Sequence, residues 1–368
     1  MYLERQNQER PSARTADDLG ELETVILRDD EATNFLRDQW SILYSLDVNA
    51  APYLFHTWLK GWSHQLPLHS HPLIVLVMSG GSPVGALALV QEQLHAGEGA
   101  IRLLSTPYSE SVGIVGPASD CMEVARAVSE ALGELRREDN RVLVSDIPAA
   151  SALARELASD ENWSLHLVPY ATVDLPLSFD SLSRETRRTH RRRLRKAEQL
   201  RESGHRLEFK RSRTTSQLLE AFEILAELDA RQHSERPFSA GSWKSVLAEC
   251  GSDLAFVATL ELDDVPVAAE LCLYREKRCY SVLAARDTDC HQFAAGHVLL
   301  RHLADDLADA GFLELDLGRT LPTGNQIGYK SQYGARWGHT IVAVTQPLEA
   351  SASLRCAQNT VSEFLGAQ

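Results

Sequence analysis

Two stretches of the chain share one pattern, and that pattern narrows the fold more than any other feature. Residues 72–91 read PLIVLVMSGGSPVGALALVQ and residues 253–287 read DLAFVATLELDDVPVAAELCLYREKRCYSVLAARD. In each, an apolar run breaks at turn-forming residues, Gly80-Gly81-Ser82 in the first and Asp263-Asp264 in the second, and then resumes. Such residues between apolar runs signal a β-hairpin, because the tight turn needs φ above zero at its centre. A helical period follows each hairpin, at 120–138 and at about 294–310, and then a short apolar strand, NRVLVSDIP (140–148) and Phe312–Leu317. SPVGALALV at Pro83 lines up with VPVAAELCL at Pro266, and LVSDIP with ELDLGR. The recurrence predicts one α/β unit used twice; a chance likeness between apolar hairpins is the competing explanation.

The chain has 368 residues, and single cores stop growing near ~250–300 residues, so two domains are expected. We place a flexible tail at 1–20, an N-terminal domain at 21–178, a C-terminal domain at 179–348 and a helix or tail at 349–368. Within the first domain an apolar period over Glu31–Leu46 (Phe35, Trp40, Leu43, Leu46) predicts a helix. Pro52 opens a second helix carrying Trp58, Leu59 and Trp62, and WSLHLVPYATVDL (163–175) is a strand. The net charge of −14 argues against binding nucleic acid or a membrane over the whole surface. Six scattered cysteines with no CxxC pair read as reduced intracellular thiols. The first residues lack an apolar signal core and no run is long enough to span a bilayer, so a cytoplasmic protein is expected.

Between the two hairpin units lies LSRETRRTHRRRLRKAEQLRESG (182–204). Leu194, Ala197 and Leu200 recur at helical spacing, which predicts a long helix. Nine Lys or Arg fall between Arg184 and Arg201, against Glu185 and Glu198. Arg187, Arg188, Arg191, Arg192 and Arg195 suit phosphates, of tRNA among others; equally, they suit a solvated connecting helix that pairs with acids.

The order of elements, the basic mid-chain helix, the late run AAGHVLLRHLADDLADAGFLELDLGR (294–319) and the closing GYKSQYGARW (328–337) together resemble GNAT-superfamily acyltransferases of the double-GNAT, CelD-like and Fem-like type. The resemblance covers about residues 30–345. It implies an α/β fold of tandem GNAT-like (acyl-CoA N-acyltransferase) domains, with mixed sheets flanked by helices. It also implies transfer of an acyl group from acyl-CoA, acetyl-CoA in the simplest case, to an amine of a small molecule, sugar or peptide. The Fem-like branch implies aminoacyl-tRNA as donor instead, and a non-catalytic binding member is a third possibility. In this family the donor's pyrophosphate is gripped by a loop of pattern Q/R-x-x-G-x-G/A. The loop here is CHQFAAGH (290–297): Gln292 fits, Ala295 stands at the first glycine, Gly296 is permissive and His297 fills the last position. The resemblance makes Lys330, after Tyr329, an oxyanion or phosphate holder.

Other candidates come from the residues themselves. Glu270 stands in a central strand where the first copy has Leu87; a carboxyl there is costly unless it is paired or functional. It is a general base with a raised pKa, or the partner of an arginine such as Arg319. Asp316 and Arg319 end a strand, where α/β proteins place ligands, with Asp316 orienting and Arg319 clamping an anion. Tyr280 and Tyr329 are proton donors for a leaving group. Trp337 lines the substrate side or packs. His64, His69 and His71 have no metal-ligand spacing, and no G-x-S-x-G elbow suggests a hydrolase. The chemistry is expected in the second copy, with the first copy degenerate.

Overall fold

The computed structural model describes residues 19–93, 99–137, 140–180, 182–233, 239–290, 293–320 and 326–345. Most of the expected N-terminal tail, the expected element at 349–368 and Gln292 lie outside these residues. The chain divides into two compact units, one of residues 1–168 and 339–368, the other of residues 169–338. The units divide at 168/169, ten residues before the expected 178/179, because strand residues Tyr170–Asp174 pair within the second unit.

The first unit runs β1 (Leu22–Arg28), α1 (Asp29–Asp38), α2 (Trp40–Leu46), α3 (His56–Ser63), β2 (Ser70–Ser79), β3 (Ser82–Gln93), β4 (Gly99–Leu103), α4 (Met122–Arg137), β5 (Asn140–Pro148) and α5 (Ala152–Ser159). The single helix expected over 31–46 is two. Gln39, at φ −123°, breaks it, and the break lets Phe35, Leu36 and Trp40 all be buried. Pro52 opens only one tight turn; Phe55 is extended and α3 starts after it. The buried Trp40 donates its indole N–H to the Leu54 carbonyl at 2.7 Å. Trp40 and Trp58 are fully buried, and rings of this size remove ~150–250 Å² each from water, roughly 4–6 kcal/mol at ~25 cal/mol/Å².

The second unit runs β6 (Ser164–Asp174), α6 (Arg184–Glu202), β7 (Leu207–Arg211), α7 (Thr215–Gln232), α8 (Ala240–Cys250), β8 (Ala255–Leu262), β9 (Val265–Arg275), β10 (Arg278–Arg286), α9 (Ala295–Asp309), β11 (Glu314–Arg319), α10 (Gln326–Ser331) and the start of β12 (Arg336–Val344). The division between units falls inside β6 and inside β12. The basic helix forms as expected: Ser183 caps it by accepting from Thr186 N at 3.1 Å, and Gly204 follows it at φ +91°.

Each unit has a six-stranded sheet of the same pattern. The first is ordered β1-β2-β3-β4-β5-β12, the second β7-β8-β9-β10-β11-β6. Pairs are antiparallel except β4–β5 and β10–β11, which are parallel. In both, a helix (α4 or α9) joins the parallel strands, as a parallel pair requires. The hairpin turns are as the sequence indicates: Gly80 and Gly81 (φ +55° and +77°) and Asp263 and Asp264 (φ +52° and +66°) occupy the left-handed region. The second core gathers β8–β11 against α9, with Val298, Leu299, Leu303 and Leu307 meeting Phe256, Leu260, Cys272, Cys279 and Leu315. Among the described residues no helix is long and apolar enough to cross a membrane.

Candidate active site

In the second unit the parallel strands do not stay together. β10 and β11 pair only through Arg278↔Glu314, Cys279↔Leu315 and Tyr280↔Asp316. β10 then runs on to Arg286 and β11 to Arg319. A bulge falls on each: between Ser281 and Leu283 against β9, and between Asp316 and Arg319 against β6. Bulges bend a strand and raise its twist, so they account for the parting. Gly318, at φ +74°, supplies the left-handed residue that the β11 bulge needs. Past the last shared pair, Ser281, Val282 and Leu283 are half-buried and Ala284 is exposed.

Glu270 lies on β9 beside this gap and is 5% exposed. Its cross-strand partners are Ala258 on β8 and Ala284 on β10, so small residues flank the carboxyl. Burial pushes its pKa up to about 7, held from going higher by a hydrogen bond from Ser281 and by the charge of Lys330. Desolvation therefore outweighs both favourable partners.

Lys330, on α10, is buried. Its Nζ donates to the carbonyls of Gly318 (2.8 Å) and Arg319 (2.7 Å). The ammonium thus fastens the end of β11 while its charge reaches Glu270. Beside it, burial and then the Glu270 charge raise the pKa of Tyr329. The Tyr329 ring stands 4.8 Å from the imidazole of His297 and 5.5 Å from the ring of Tyr333. His297 Nδ1 contacts the Tyr333 hydroxyl closely and accepts from Arg193 Nη1 at 3.3 Å. Burial, with the charges of Arg193, His190 and Arg286, pulls the His297 pKa down to about 3, so the ring is neutral.

The expected site residues therefore separate into groups. Glu270, Tyr329 and Lys330 come together with His297. Asp316 and Tyr280 are register partners on the other face of the sheet, because Cys279, Leu315 and Leu317 on either side of them pack against α9. There Asp316 accepts from Gly318 N at 2.8 Å and Arg278 lies 5.6 Å over the Tyr280 ring. Arg319 ends β11 half-buried, and Trp337 is 39% exposed on β12. Ala295 and Gly296 open α9, where no side chain caps the helix; a Cβ on Gly296 would meet Arg286 Cδ at 3.9 Å.

The basic helix has two faces. Inward, His190 Nε2 bonds the Gln332 carbonyl (2.7 Å) and Arg193 bonds the Gln332 side chain (2.5 Å). Outward, Arg184, Arg188, Arg191, Arg192, Arg195 and Lys196 are exposed, and none forms an ion pair with an acid among the described residues. Arg187 is half-buried and donates to the Asp180 carbonyl. Glu208, Glu261 and Asp264 converge but meet Arg206 and Lys210 in an ion-pair network. Sequence reading did not single out Ser281, His190, Arg193 or Arg286. For His190 and Arg193 a signal existed, since both share a helix face with Ala197; Ser281 needed the hairpin register.

Comparison with known proteins gives the following. A family model described as an acetyltransferase (GNAT) domain matches residues 184–331. No curated protein matches the chain by sequence. Among solved structures, FemX aligns with TM-score 0.58 at 9% identity, covering 93% of this chain and 100% of that one. The C-terminal domain (DUF2156) of a protein assigned as a lysylphosphatidylglycerol synthetase from Agrobacterium fabrum aligns with TM-score 0.56 at 15% identity, covering 92% and 99%. L-PGS from Bacillus licheniformis aligns with TM-score 0.51 at 13% identity, covering 77% and 87%. At these identities the likeness is one of fold.

Proposed function

From the premise that this chain belongs to the GNAT superfamily and is an acyltransferase with its acetyltransferase domain at residues 184–331, we propose that its second unit transfers an acyl group from acyl-CoA, such as acetyl-CoA, to an amine of a small molecule, sugar or peptide. The observation that carries this reading is the gap between β10 and β11, with a carboxyl of pKa about 7 at its side. A carboxyl titrating there holds both forms at neutral pH, which a general base requires. In the reaction Glu270 takes a proton from the amine as its nitrogen attacks the thioester carbonyl. The C–N bond forms, the C–S bond breaks, and the thiolate leaves and is protonated. The bulge takes one residue of β10 out of the β9 ladder, and an amide in the gap can donate to the tetrahedral oxyanion. Lys330 holds the β11 edge of the gap in place and keeps Glu270 from titrating higher. The first unit has Leu87 where the second has Glu270, which supports a catalytically degenerate first unit. No metal takes part in this scheme. Free Cys250, Cys272 and Cys279 and an acyl-CoA donor both suit the cytoplasm.

Two observations favour a second donor, an aminoacyl-tRNA. His297 fills the position where the coenzyme A loop has a small residue, and the outward row of α6 is positively charged without acid partners among the described residues. Thermal shift separates the two readings. A ligand that binds only the folded state adds RT ln(1 + [L]/Kd), about 2.7 kcal/mol at a hundredfold excess over Kd. We expect acetyl-CoA or a longer acyl-CoA to raise Tm. If no acyl-CoA does so and charged tRNA does, the donor is the tRNA.

A further inference from the structure

Thr320 follows the last residue of β11. It is fully buried, and its hydroxyl finds no hydrogen-bond partner among the described residues. A buried hydroxyl left unpaired costs free energy, because its bonds to water are not replaced. The backbone around it is held firmly. Its N–H donates to the Pro169 carbonyl at 2.7 Å, and Lys330 fastens the carbonyls of the two residues before it.

Strand register fixes the level of this hydroxyl. β10 and β11 last pair at Tyr280↔Asp316, and each then carries one extra residue in a bulge. Four residues on, β10 has reached Ala284 and β11 has reached Thr320. Ala284 is the cross-strand partner of Glu270, so Thr320 stands across the gap at the level of the carboxyl. The face follows from alternation. Arg319 pairs with Tyr170, whose neighbour Ala171 belongs to the core under α9. Arg319 is thus on the far face of the sheet, and Thr320 is on the face of Glu270.

Acyl transfer leaves three polar atoms to be held around the tetrahedral carbon: the attacking nitrogen, the oxyanion and the departing sulfur. Glu270 serves the nitrogen, and an amide in the gap serves the oxyanion. The sulfur is left over, since Tyr280, expected to donate to the leaving group, lies on the far face. We propose that Thr320 is a further catalytic residue, whose hydroxyl donates a hydrogen bond to the sulfur of the acyl-CoA thioester as the C–S bond breaks. This rests on the reading of the gap as the place of acyl transfer. Thr320 keeps its proton throughout. The electron pair of the C–S bond goes to sulfur, the thiolate takes a proton from solvent, and Glu270 returns to solvent the proton it took from the amine. The sulfur supplies the partner that the hydroxyl lacks in the empty protein.

Two measurements on the full chain test this. Thr320→Val keeps the shape of the side chain and removes the hydroxyl; Thr320→Ser keeps the hydroxyl. The first measurement is the affinity for CoA and for desulfo-CoA, which lacks the sulfur, by titration calorimetry. The parent and Thr320→Ser should bind CoA about tenfold more tightly than desulfo-CoA, the size of one hydrogen bond to a charged group. Thr320→Val should bind the two alike. The second is Tm without ligand, which Thr320→Val should leave unchanged or raise, because no bond within the protein is lost. A preference for CoA that persists in Thr320→Val, no preference in the parent, or a lower Tm in Thr320→Val overturns the proposal. The outcomes also separate it from the reading beneath it. If neither compound binds the parent, the acyl-CoA reading falls and this role falls with it; if both bind and valine changes nothing, only the role of Thr320 falls.

Discussion

The two units carry one sheet pattern and differ where the parallel strands meet. In the first, β4 and β5 pair over Gly99↔Asn140 to Arg102↔Leu143, and β4 stops at Leu103. In the second, pairing ends at Tyr280↔Asp316 and β10 continues to Arg286. Both fifth strands, β5 and β11, bulge against their antiparallel neighbours. The left-handed residue of the bulge is Asp146 (φ +60°) in the first unit and Gly318 (φ +74°) in the second. The third strand has Leu87 in the first, fully buried, and Glu270 in the second. The same scaffold thus carries an apolar side chain at this position of the third strand in one copy and a buried carboxyl in the other. We propose that the bulge of β10 and this carboxyl, rather than the topology alone, make the site.

Swapping the distinguishing residue is the harshest test of that comparison. Leu87→Glu loses a buried apolar side chain and buries a carboxyl in the first unit; we expect a loss of roughly 4–5 kcal/mol, read as a collapse of the urea midpoint. A variant as stable as the parent would show that the two sites are interchangeable. Next, Lys330→Met removes a buried ammonium from two carbonyls. Stability should fall by roughly 2–4 kcal/mol, the range for charged hydrogen bonds and orphaned acceptors, and the Glu270 midpoint should rise because its positive neighbour is gone.

Glu270 also sets a pH dependence. Its pKa is raised from 4.5 to about 7, so the folded state binds the proton more tightly than the unfolded chain. Stability is greatest below the unfolded value and declines as pH rises towards 7. Above that the cost is complete, at most ~3.5 kcal/mol from ~1.4 kcal/mol per unit. Glu270→Gln removes the decline, so Tm of the variant should overtake that of the parent between pH 5 and 7; parallel curves would refute the burial argument. The smallest effect is expected on the outer row of α6. Neutralising Arg188, Arg191 and Arg192 together should change stability by less than ~0.5 kcal/mol each, while an aminoacyl-tRNA donor would lose affinity and salt dependence on the same change.

Much of this was legible in the sequence, for reasons of local chemistry. Turn residues with the right φ marked both hairpins, and Leu194, Ala197 and Leu200 at helical spacing marked the basic helix. Aligning the hairpins singled out Glu270 against Leu87. What was not legible depends on distant pairs or on weak patterns. The edge strands β1 and β7 are half-exposed and show little alternation, so they were passed over. Lys330 stood out by resemblance, but its bonds to Gly318 and Arg319 need the loop to fold back. His297 looked like a defect in a glycine loop; its partner Arg193 is 104 residues away. Asp316 looked like a site residue because it comes at the end of a strand, and Tyr280 because its hydroxyl can donate a proton; strand alternation puts both on the opposite face from Glu270.

The central claim is that the carboxyl of Glu270 drives acyl transfer at the opened edge of the second unit. Its most direct measurement is the rate of thiol release from acetyl-CoA against pH, across a panel of amines, for the parent and for Glu270→Gln. The parent rate should climb as pH passes about 7, and the variant should lose that climb together with about a hundredfold to ten-thousandfold in rate while remaining folded. A variant that matches the parent in rate and in pH profile would contradict the account.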